Sequence, residues 1–180
     1  SVKVISNFAF EECSLASVNI PDSVTGIALG AFKNCRDLTS VDVPEGVTGI
    51  ADSMFYGCSA LTSVTLPVGV TTIGDQAFFG CASLTSVTIP DGVTTIGSSA
   101  FALSGMTSVN IPDSVVKMGD NTFSECPLSS VGLGKGIDAI PNGTFANCHS
   151  LSSITIPADI AHIGEWAFSG SGLASISLPE

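Results

Sequence analysis

Apolar and polar residues alternate along the chain in short runs that end at a proline. In residues 83–90, Val87 and Ile89 alternate with hydroxyl side chains, which is the period-two pattern of a strand with one buried face. Pro90 lacks an amide hydrogen and ends this strand, and the Asp-Gly pair that follows it is typical of a turn. The next short run, residues 93–96, predicts a second extended piece that a glycine then interrupts.

This pattern recurs every 22 or 23 residues over the whole chain, as the interval from Pro21 to Pro44 illustrates. Gly134 takes the place of the proline in one unit. Most of the phenylalanines occupy one position of the repeat: Phe10, Phe32, Phe55, Phe78, Phe101, Phe123, Phe145 and Phe168. One such unit cannot bury its own apolar face, whereas stacked units can, so the repeat predicts a solenoid with one continuous core.

Three further apolar positions recur with the phenylalanine and define the predicted core. Substitutions at each position stay apolar and similar in volume, as close packing requires. The sets are Val24, Val47, Val70, Val93, Val115, Ile137 and Ile160; Ile27, Ile50, Ile73, Ile96, Met118, Ile140 and Ile163; and Leu15, Leu38, Leu61, Leu84, Met106, Leu128, Leu151 and Leu173. No linker or change of composition divides the chain. We therefore predict one solenoid domain, residues 1–180, of about eight coils.

The segment around each phenylalanine predicts a short helical turn, for example residues 75–81. Asp75 stands where a helix cap would accept a hydrogen bond from an otherwise unpaired amide. Most of the equivalent positions hold good capping residues: Asn7, Asp52, Ser98, Asp120 and Asn142. The sequence thus predicts one capped turn in each coil.

These units resemble the BspA-like leucine-rich repeats of bacterial and protist surface proteins. Residues 61–83, LTSVTLPVGVTTIGDQAFFGCAS, show the resemblance most clearly, and it extends over essentially the whole chain. It implies a right-handed leucine-rich-repeat solenoid with a parallel β-sheet on one face and no catalytic residues. It also implies a secreted or cell-surface protein that binds host or matrix proteins or other cells.

The repeat starts just after one Pro-Asp turn position and stops at another. We therefore expect the chain to be a piece of a longer array, because solenoids normally need polar caps at their ends. Open ends of this kind are expected to associate with one another.

Six cysteines lie three residues after the repeat phenylalanine: Cys13, Cys35, Cys58, Cys81, Cys126 and Cys148. An even number of cysteines in a secreted protein suggests disulfides, and stacking would place neighbouring Cα atoms about 5 Å apart. Equivalent side chains in a stack point in parallel, however, and serine replaces cysteine in two units. We favour buried, reduced thiols that act as small apolar groups, with disulfides as the alternative.

Composition and charge exclude several classes of function. The net charge of -11 would repel a phosphate backbone, so we expect no nucleic-acid partner. Although 44% of the residues are hydrophobic, no uninterrupted apolar run is long enough for a membrane span. With only 12% charged residues, the chain also differs from disordered acidic tails.

Candidate catalytic and metal-binding residues are sparse. His149 and His162 fall at different positions of the repeat, and neither has an evident acid-base partner. The cysteines lack the short paired spacing of a metal site. Most acidic residues occupy turn and cap positions, where solvated side chains are expected; Asp22, Glu45, Asp91 and Asp113, for example, each follow a proline. We predict no enzymatic activity, no cofactor and no metal.

Two surfaces are candidates for binding. Outward positions of the predicted main sheet form a polar lane, whose candidate ligand-binding residues are Asp42, Thr65, Thr88, Asn110 and Thr155. The alternative is that threonine simply suits an exposed sheet. The position after the repeat phenylalanine brings Tyr56 and Phe79 together, and exposed aromatic residues often anchor a partner. The alternative there is packing against a neighbouring loop. Phe8 and Trp166 share another position but lie near opposite ends of the chain.

The resulting hypothesis is a non-enzymatic recognition or adhesion module of a secreted or cell-surface protein, with an extracellular matrix protein or another cell surface as partner. The alternative is a structural spacer without a ligand. A third possibility is an ice-binding surface, suggested by T-x-x-T pairs such as Thr85 and Thr88, although these rows decay to Ser129 and Ala174 along the chain.

Overall fold

Short strands form at both extended positions of the repeat. The structure, a computed structural model, describes residues 1–179. Its strands in chain order are β1 (Val4–Ile5), β2 (Gly26–Ile27), β3 (Ser40–Asp42), β4 (Gly49–Ile50), β5 (Ser63–Thr65), β6 (Thr72–Ile73), β7 (Thr95–Ile96), β8 (Ser108–Asn110), β9 (Lys117–Met118), β10 (Ser130–Gly132), β11 (Ala139–Ile140) and β12 (His162–Ile163). All pairs are parallel and join residues one repeat apart, such as Ile50 with Ile73. The chain is therefore a parallel β-solenoid whose coils stack in register.

The repeat phenylalanines form one column of stacked rings through the centre of the solenoid. Successive ring centroids lie between 5.2 Å, for Phe78 and Phe101, and 5.9 Å, for Phe123 and Phe145. The six inner rings are fully buried, while Phe10 and Phe168 are half-buried. This column confirms that residues in the same position of the repeat lie over one another.

The predicted valine, isoleucine and leucine sets surround this column. All their members are buried except three at the two ends of the solenoid, which are half-buried: Leu15, Ile163 and Leu173. The core therefore runs without interruption along the coils, as the repeat predicts.

The main sheet is less continuous than the sequence predicts. Residues 86–88 form no strand, although Thr88 is exposed and Ile89 is buried as expected. The strands at this position consequently form two separate pairs, β3 with β5 and β8 with β10, whereas the second extended position carries the larger sheet, in the order β4-β6-β7-β9. Each ladder is only two or three residues long, so side-chain packing in the core, more than strand pairing, holds the coils together.

The predicted helical turns are wrong: residues 1–179 contain no helix, and hence none that could span a membrane. The reason is the backbone at two positions of each coil, which is left-handed, with φ of 56° at Gln76 and 70° at Gly80. Consecutive backbone amides of this segment therefore alternate between acceptors in their own turn and acceptors in the next coil. The Phe79 amide donates within its own turn to the Gln76 carbonyl (3.1 Å), whereas the Phe78 amide donates to Ala100 in the next coil (2.7 Å). The segment is a run of β-turns tied to its neighbours.

The predicted caps also act between coils. The Asp75 amide donates to Oδ1 of Asp52 (2.8 Å), and Oδ1 of Asp75 accepts from the Ser98 amide (2.7 Å). Asn142 in the same way accepts from the Glu165 amide (2.8 Å). These side chains therefore satisfy backbone amides as predicted, but in the neighbouring coil and without a helix.

Coils of 22 residues lose one residue between the cysteine position and the leucine position. Gly105 stands at this shortened corner, where a Cβ atom would lie 2.3 Å from the carbonyl oxygen of Ala82. The backbones of neighbouring coils approach so closely here that only glycine fits.

Candidate binding surfaces

Tyr56 and Phe79 form a stacked pair outside the core. Each follows a buried repeat phenylalanine, so its side chain points away from the phenylalanine column. The two ring centroids are 4.8 Å apart, the planes differ by 6°, and both side chains are half-buried. The structure therefore places the two aromatic candidates together, as the sequence predicts.

Lys33 extends this pair by one coil. Its Nζ lies 5.8 Å from the Tyr56 ring centroid and 5.7 Å from that of Phe8, and it forms a 3.0 Å ion pair with Glu11 Oε1. We call Phe8, Lys33, Tyr56 and Phe79 the aromatic row. An ammonium over aromatic faces is a cation–π arrangement.

Lys33 follows a repeat phenylalanine just as Tyr56 and Phe79 do, so the repeat already places it on this surface, whereas sequence analysis missed Phe8. The link that repeat spacing alone does not reveal is a β-turn, in which the Glu11 amide donates to the Phe8 carbonyl (3.1 Å). The residue two before the repeat phenylalanine and the residue one after it are therefore the two ends of one turn. Residues at the ends of a turn lie close together. The variable position of Phe8 is thus on the same side of the coil as that of Tyr56.

The row is held in place mainly by the scaffold. The side chains of Lys33 and Glu11 are 31% and 33% exposed, and ion pairs at such sites contribute about 0–1 kcal/mol. A cation–π contact at an exposed site contributes roughly 0.5–1 kcal/mol. The stacking distance between coils, in contrast, is set by the buried core, so the rings stand preorganised on the surface.

The predicted polar lane is exposed throughout: Asp42, Thr65, Thr88, Asn110 and Thr155. Three of these residues lie on strands β3, β5 and β8, while Thr88 and Thr155 lie in extended chain that forms no strand. A depression within the lane is lined by Thr88, Asn110 and the neighbouring Asp91. Within residues 1–179, no side chains cluster in a way that would hold a metal ion.

The first threonine of the T-x-x-T pair formed by Thr62 and Thr65 has a structural role, as does Thr39 at the same position of the preceding coil. The Thr62 hydroxyl donates to the carbonyl of Thr39 (3.0 Å), and the Thr39 hydroxyl donates to that of Ala16 (3.2 Å). These hydroxyls link one coil to the preceding coil, so they are turned toward the backbone, which weighs against a regular ice-binding lattice.

The histidines lie apart from one another in the fold. His149 is exposed and its Nδ1 is 2.7 Å from the carbonyl oxygen of Gly170, while His162 lies on β12 in the following coil. The His149 contact links neighbouring turns. Its partner is a backbone carbonyl, whereas an acid-base mechanism would need a titratable partner.

Comparison with known proteins identifies the family. The sequence profile of the BspA type leucine rich repeat region matches residues 1–104 and 71–180, with six copies. None of the curated protein sequences is a significant match. Proteins of leucine-rich repeat families typically lack enzymatic activity, and their repeats typically serve as modules for protein interaction.

Several solved structures share the coil geometry. A leucine-rich repeat protein from Bacteroides ovatus is 31% identical, with a TM-score of 0.85 over 91% of this chain and 45% of its own. The leucine rich repeat protein of T. pallidum is 28% identical, with a TM-score of 0.85 over 93% of this chain and 80% of its own. A leucine rich cell surface protein from Faecalibacterium prausnitzii is 34% identical, with a TM-score of 0.57 over 98% of this chain and 63% of its own.

The chain therefore spans less than half the length of the Bacteroides ovatus protein. The match of the family profile nevertheless runs from residue 1 to residue 180, and the stacked coils agree with the solved relatives. On both grounds, this chain belongs to the family of BspA-type leucine-rich repeat proteins.

Proposed function

We propose that this chain is a non-enzymatic recognition module through which a secreted or cell-surface protein adheres to a protein partner. The observation that carries the proposal is the aromatic row, in which the stacked Tyr56 and Phe79 rings stand beside Lys33 outside the core. Aromatic side chains, tyrosine among them, are enriched among the few residues that supply most of the binding energy in protein interfaces.

Preorganisation supports this assignment. Binding normally costs side-chain entropy, because flexible groups must be immobilised in the complex. The rings of Tyr56 and Phe79 are already stacked at 4.8 Å on coils whose separation is set by buried phenylalanines, so little freedom remains to be lost. Such a surface suits recognition of a folded protein partner.

The polar lane of Asp42, Thr65, Thr88, Asn110 and Thr155 provides a second contact surface in this proposal. Its side chains are exposed and offer hydroxyl, amide and carboxylate groups for hydrogen bonding. The partner we propose is an extracellular matrix protein or a protein of another cell surface. The relative from Faecalibacterium prausnitzii, a leucine rich cell surface protein, supports a surface location.

Binding of the immobilised chain to a panel of matrix and plasma proteins, including fibronectin and fibrinogen, tests this function. The double variant Tyr56→Ser/Phe79→Ser should bind at least tenfold more weakly than the unaltered chain. The matched variant Thr65→Ser/Thr88→Ser alters the polar lane and should lose less affinity. Circular dichroism and thermal melting establish that both variants remain folded.

Two results would contradict the proposal in different ways. Binding that is unaffected by either double variant would show recognition at another surface. If no protein of the panel binds, the structural spacer becomes the better interpretation, since the unbroken phenylalanine column also makes the chain a stiff support.

A further inference from the structure

Residues 86–88 interrupt the backbone pairing of the polar lane. In the stack of coils they lie between β5 and β8, but β5 pairs with β3 and β8 pairs with β10. Within residues 1–179, the amides of Ser86, Val87 and Thr88 donate to no backbone carbonyl. Ser86 and Thr88 are exposed, so the unpaired backbone groups here stay available for hydrogen bonds with another molecule.

A depression lies at this interruption. Ser86 and Thr88 line it from one coil, Ser108 and Asn110 line it from the next, and its volume is about 340 Å³. A second depression, of about 420 Å³, adjoins the first, because Asn110 lines both. Volumes of this size lie within the range of roughly 300–1,000 Å³ that is usual for ligand pockets.

The second depression crosses into a third coil. It shares Asp91 and Pro112 with the first depression and reaches Leu133 and Gly134. Gly134 stands where other coils hold proline, so no proline ring fills this end. We call the two depressions together the lane groove, whose lining comes from residues 86–89, 91, 108–114 and 133–134.

Asn110 lies at the centre of the lane groove. Its side chain leans toward the following coil, where a Cβ atom on Gly132 would be 2.4 Å from Asn110 Oδ1. Glycine at this position of the polar lane therefore leaves the space that the Asn110 amide occupies. Asn110 is exposed, and its amide group can both donate and accept hydrogen bonds.

The chemistry of the lining suits a ligand rich in hydroxyl groups. Thr88 supplies a hydroxyl, Asn110 an amide and Asp91 a carboxylate, beside the unpaired backbone of residues 86–88. A sugar hydroxyl is a donor and an acceptor at once, so neighbouring hydroxyls of one ring can satisfy both an amide and a carboxylate. Leu133 adds an apolar contact for the C–H face of a sugar ring.

The direction of the lane groove favours a sugar chain over a peptide. A peptide that adds to a sheet runs parallel to its strands, because it pairs through its backbone. The lane groove instead crosses three successive coils, so its long direction lies across the strands. The hydroxyls of an oligosaccharide point in several directions, and its binding does not require such pairing.

Charge determines which sugars the lane groove accepts. Its lining includes Asp91 and Asp113 but no lysine or arginine. Lys135 is a neighbouring cation at the exposed turn after Gly134, and its backbone amide donates to Asp113 Oδ1 (2.9 Å). With two carboxylates in the lining and a net charge of -11, the groove disfavours sialylated and sulfated chains.

We propose that the lane groove binds a neutral oligosaccharide carried by the partner protein. Sugar hydroxyls bond to the Asn110 amide and the Asp91 carboxylate, and one ring face lies on Leu133. This inference rests on the proposed recognition function and deepens it, because it names the chemistry of the partner at the polar lane.

An array of short neutral oligosaccharides, printed beside sialylated and sulfated forms of the same chains, tests this assignment. The labelled, folded chain should bind at least one neutral oligosaccharide in a saturable manner. Its acidic forms should bind at least tenfold more weakly, because they meet the carboxylates of the groove. The neutral oligosaccharide that binds is then used with the variants.

Two matched pairs of variants locate the binding. Asn110→Ala should weaken binding at least fivefold, whereas Asn19→Ala, at the same position of the repeat but outside the groove, should not. Asp91→Ala should weaken binding likewise, and Asp22→Ala, which also follows a proline, should not. All four side chains are exposed, so the variants should remain folded, as thermal melting verifies.

Several results would overturn the lane groove as a sugar site: no saturable binding of any neutral oligosaccharide, equal binding of neutral and acidic forms, or equal effects of Asn110→Ala and Asn19→Ala. The proposed function would survive each of them if protein binding still depended on Tyr56 and Phe79. Failure of the protein panel, in contrast, would remove the proposed protein recognition even where an oligosaccharide binds.

Discussion

The Sγ of Cys58 donates a hydrogen bond of 3.1 Å to the carbonyl oxygen of Phe32 in the preceding coil. The same bond recurs along the solenoid, at 3.0–3.2 Å, from Cys35 to Phe10, Cys81 to Phe55, Cys126 to Phe101 and Cys148 to Phe123. All six cysteines are free in the structure. Cysteine suits this position because its thiol is small and apolar and still a weak donor.

We predict that native thiols react unequally. Five of the six cysteines are buried, and only Cys13 is half-buried. At pH 8 a thiol reagent should modify Cys13 quickly and the others slowly, because burial removes access and disfavours the reactive thiolate. The colorimetric thiol count in denaturant without reductant should be six. A count lower by two or more would instead establish disulfides.

Stability should fall at high pH. Burial raises the pKa of Cys58 and of Cys148 to about 12, from the ordinary value of 9.0, and raises that of Cys81 well above 9.0. The folded state therefore holds these protons more tightly than the unfolded chain does. Their contribution to stability is fully present below pH 9 and is lost as the pH rises from about 9 toward 12. Urea melts of the chain and of the variant Cys58→Ala across this range measure it, and the variant should show a shallower fall.

Phe78→Ala should lower the free energy of unfolding by about 3–5 kcal/mol, because it opens a cavity in the middle of the phenylalanine column. Thr88→Ala, an exposed position of the polar lane, should cost less than about 1 kcal/mol. Urea denaturation of both variants provides the comparison. Losses of equal size would contradict the division into buried and exposed positions.

Asp75→Ala should cost about 0.5–1.5 kcal/mol, because the Ser98 amide loses the acceptor that it holds at 2.7 Å. Asp75→Asn keeps a side-chain oxygen and should restore most of the loss. Asp91→Ala, at an exposed turn, is the control and should be nearly neutral. Thermal melts measure all three variants, and equal losses for Asp75→Ala and Asp91→Ala would refute a role for the bonds between coils.

Gly105→Ala should destabilise the chain by more than about 1 kcal/mol, because its Cβ would clash with the Ala82 carbonyl oxygen. At Gly69 the nearest atom to a Cβ would be the Glu45 carbonyl oxygen at 3.9 Å, so Gly69→Ala should be tolerated. Neither glycine has a positive φ, so the comparison isolates the steric effect. Similar unfolding midpoints for the two variants would mean that the short corner can relax.

The sequence by itself determined the register of the coils, the phenylalanine column from Phe10 to Phe168 and the neighbourhood of Tyr56 and Phe79. Residues that share a position of a stacked repeat are carried onto one another by a single translation, so periodicity is sufficient to predict which of them meet. The predicted sheet, domain and surfaces all follow from this one relationship.

Contacts between different positions of the repeat were decided only by the tertiary structure. Two left-handed residues per coil, such as Gln76 and Gly80, turn alternate amides toward the next coil, and this replaces the predicted helix with linked turns. The same turn geometry brings Phe8 beneath Lys33. Periodicity does not encode these contacts, because they depend on backbone dihedral angles within one coil and on which side chain its neighbour presents.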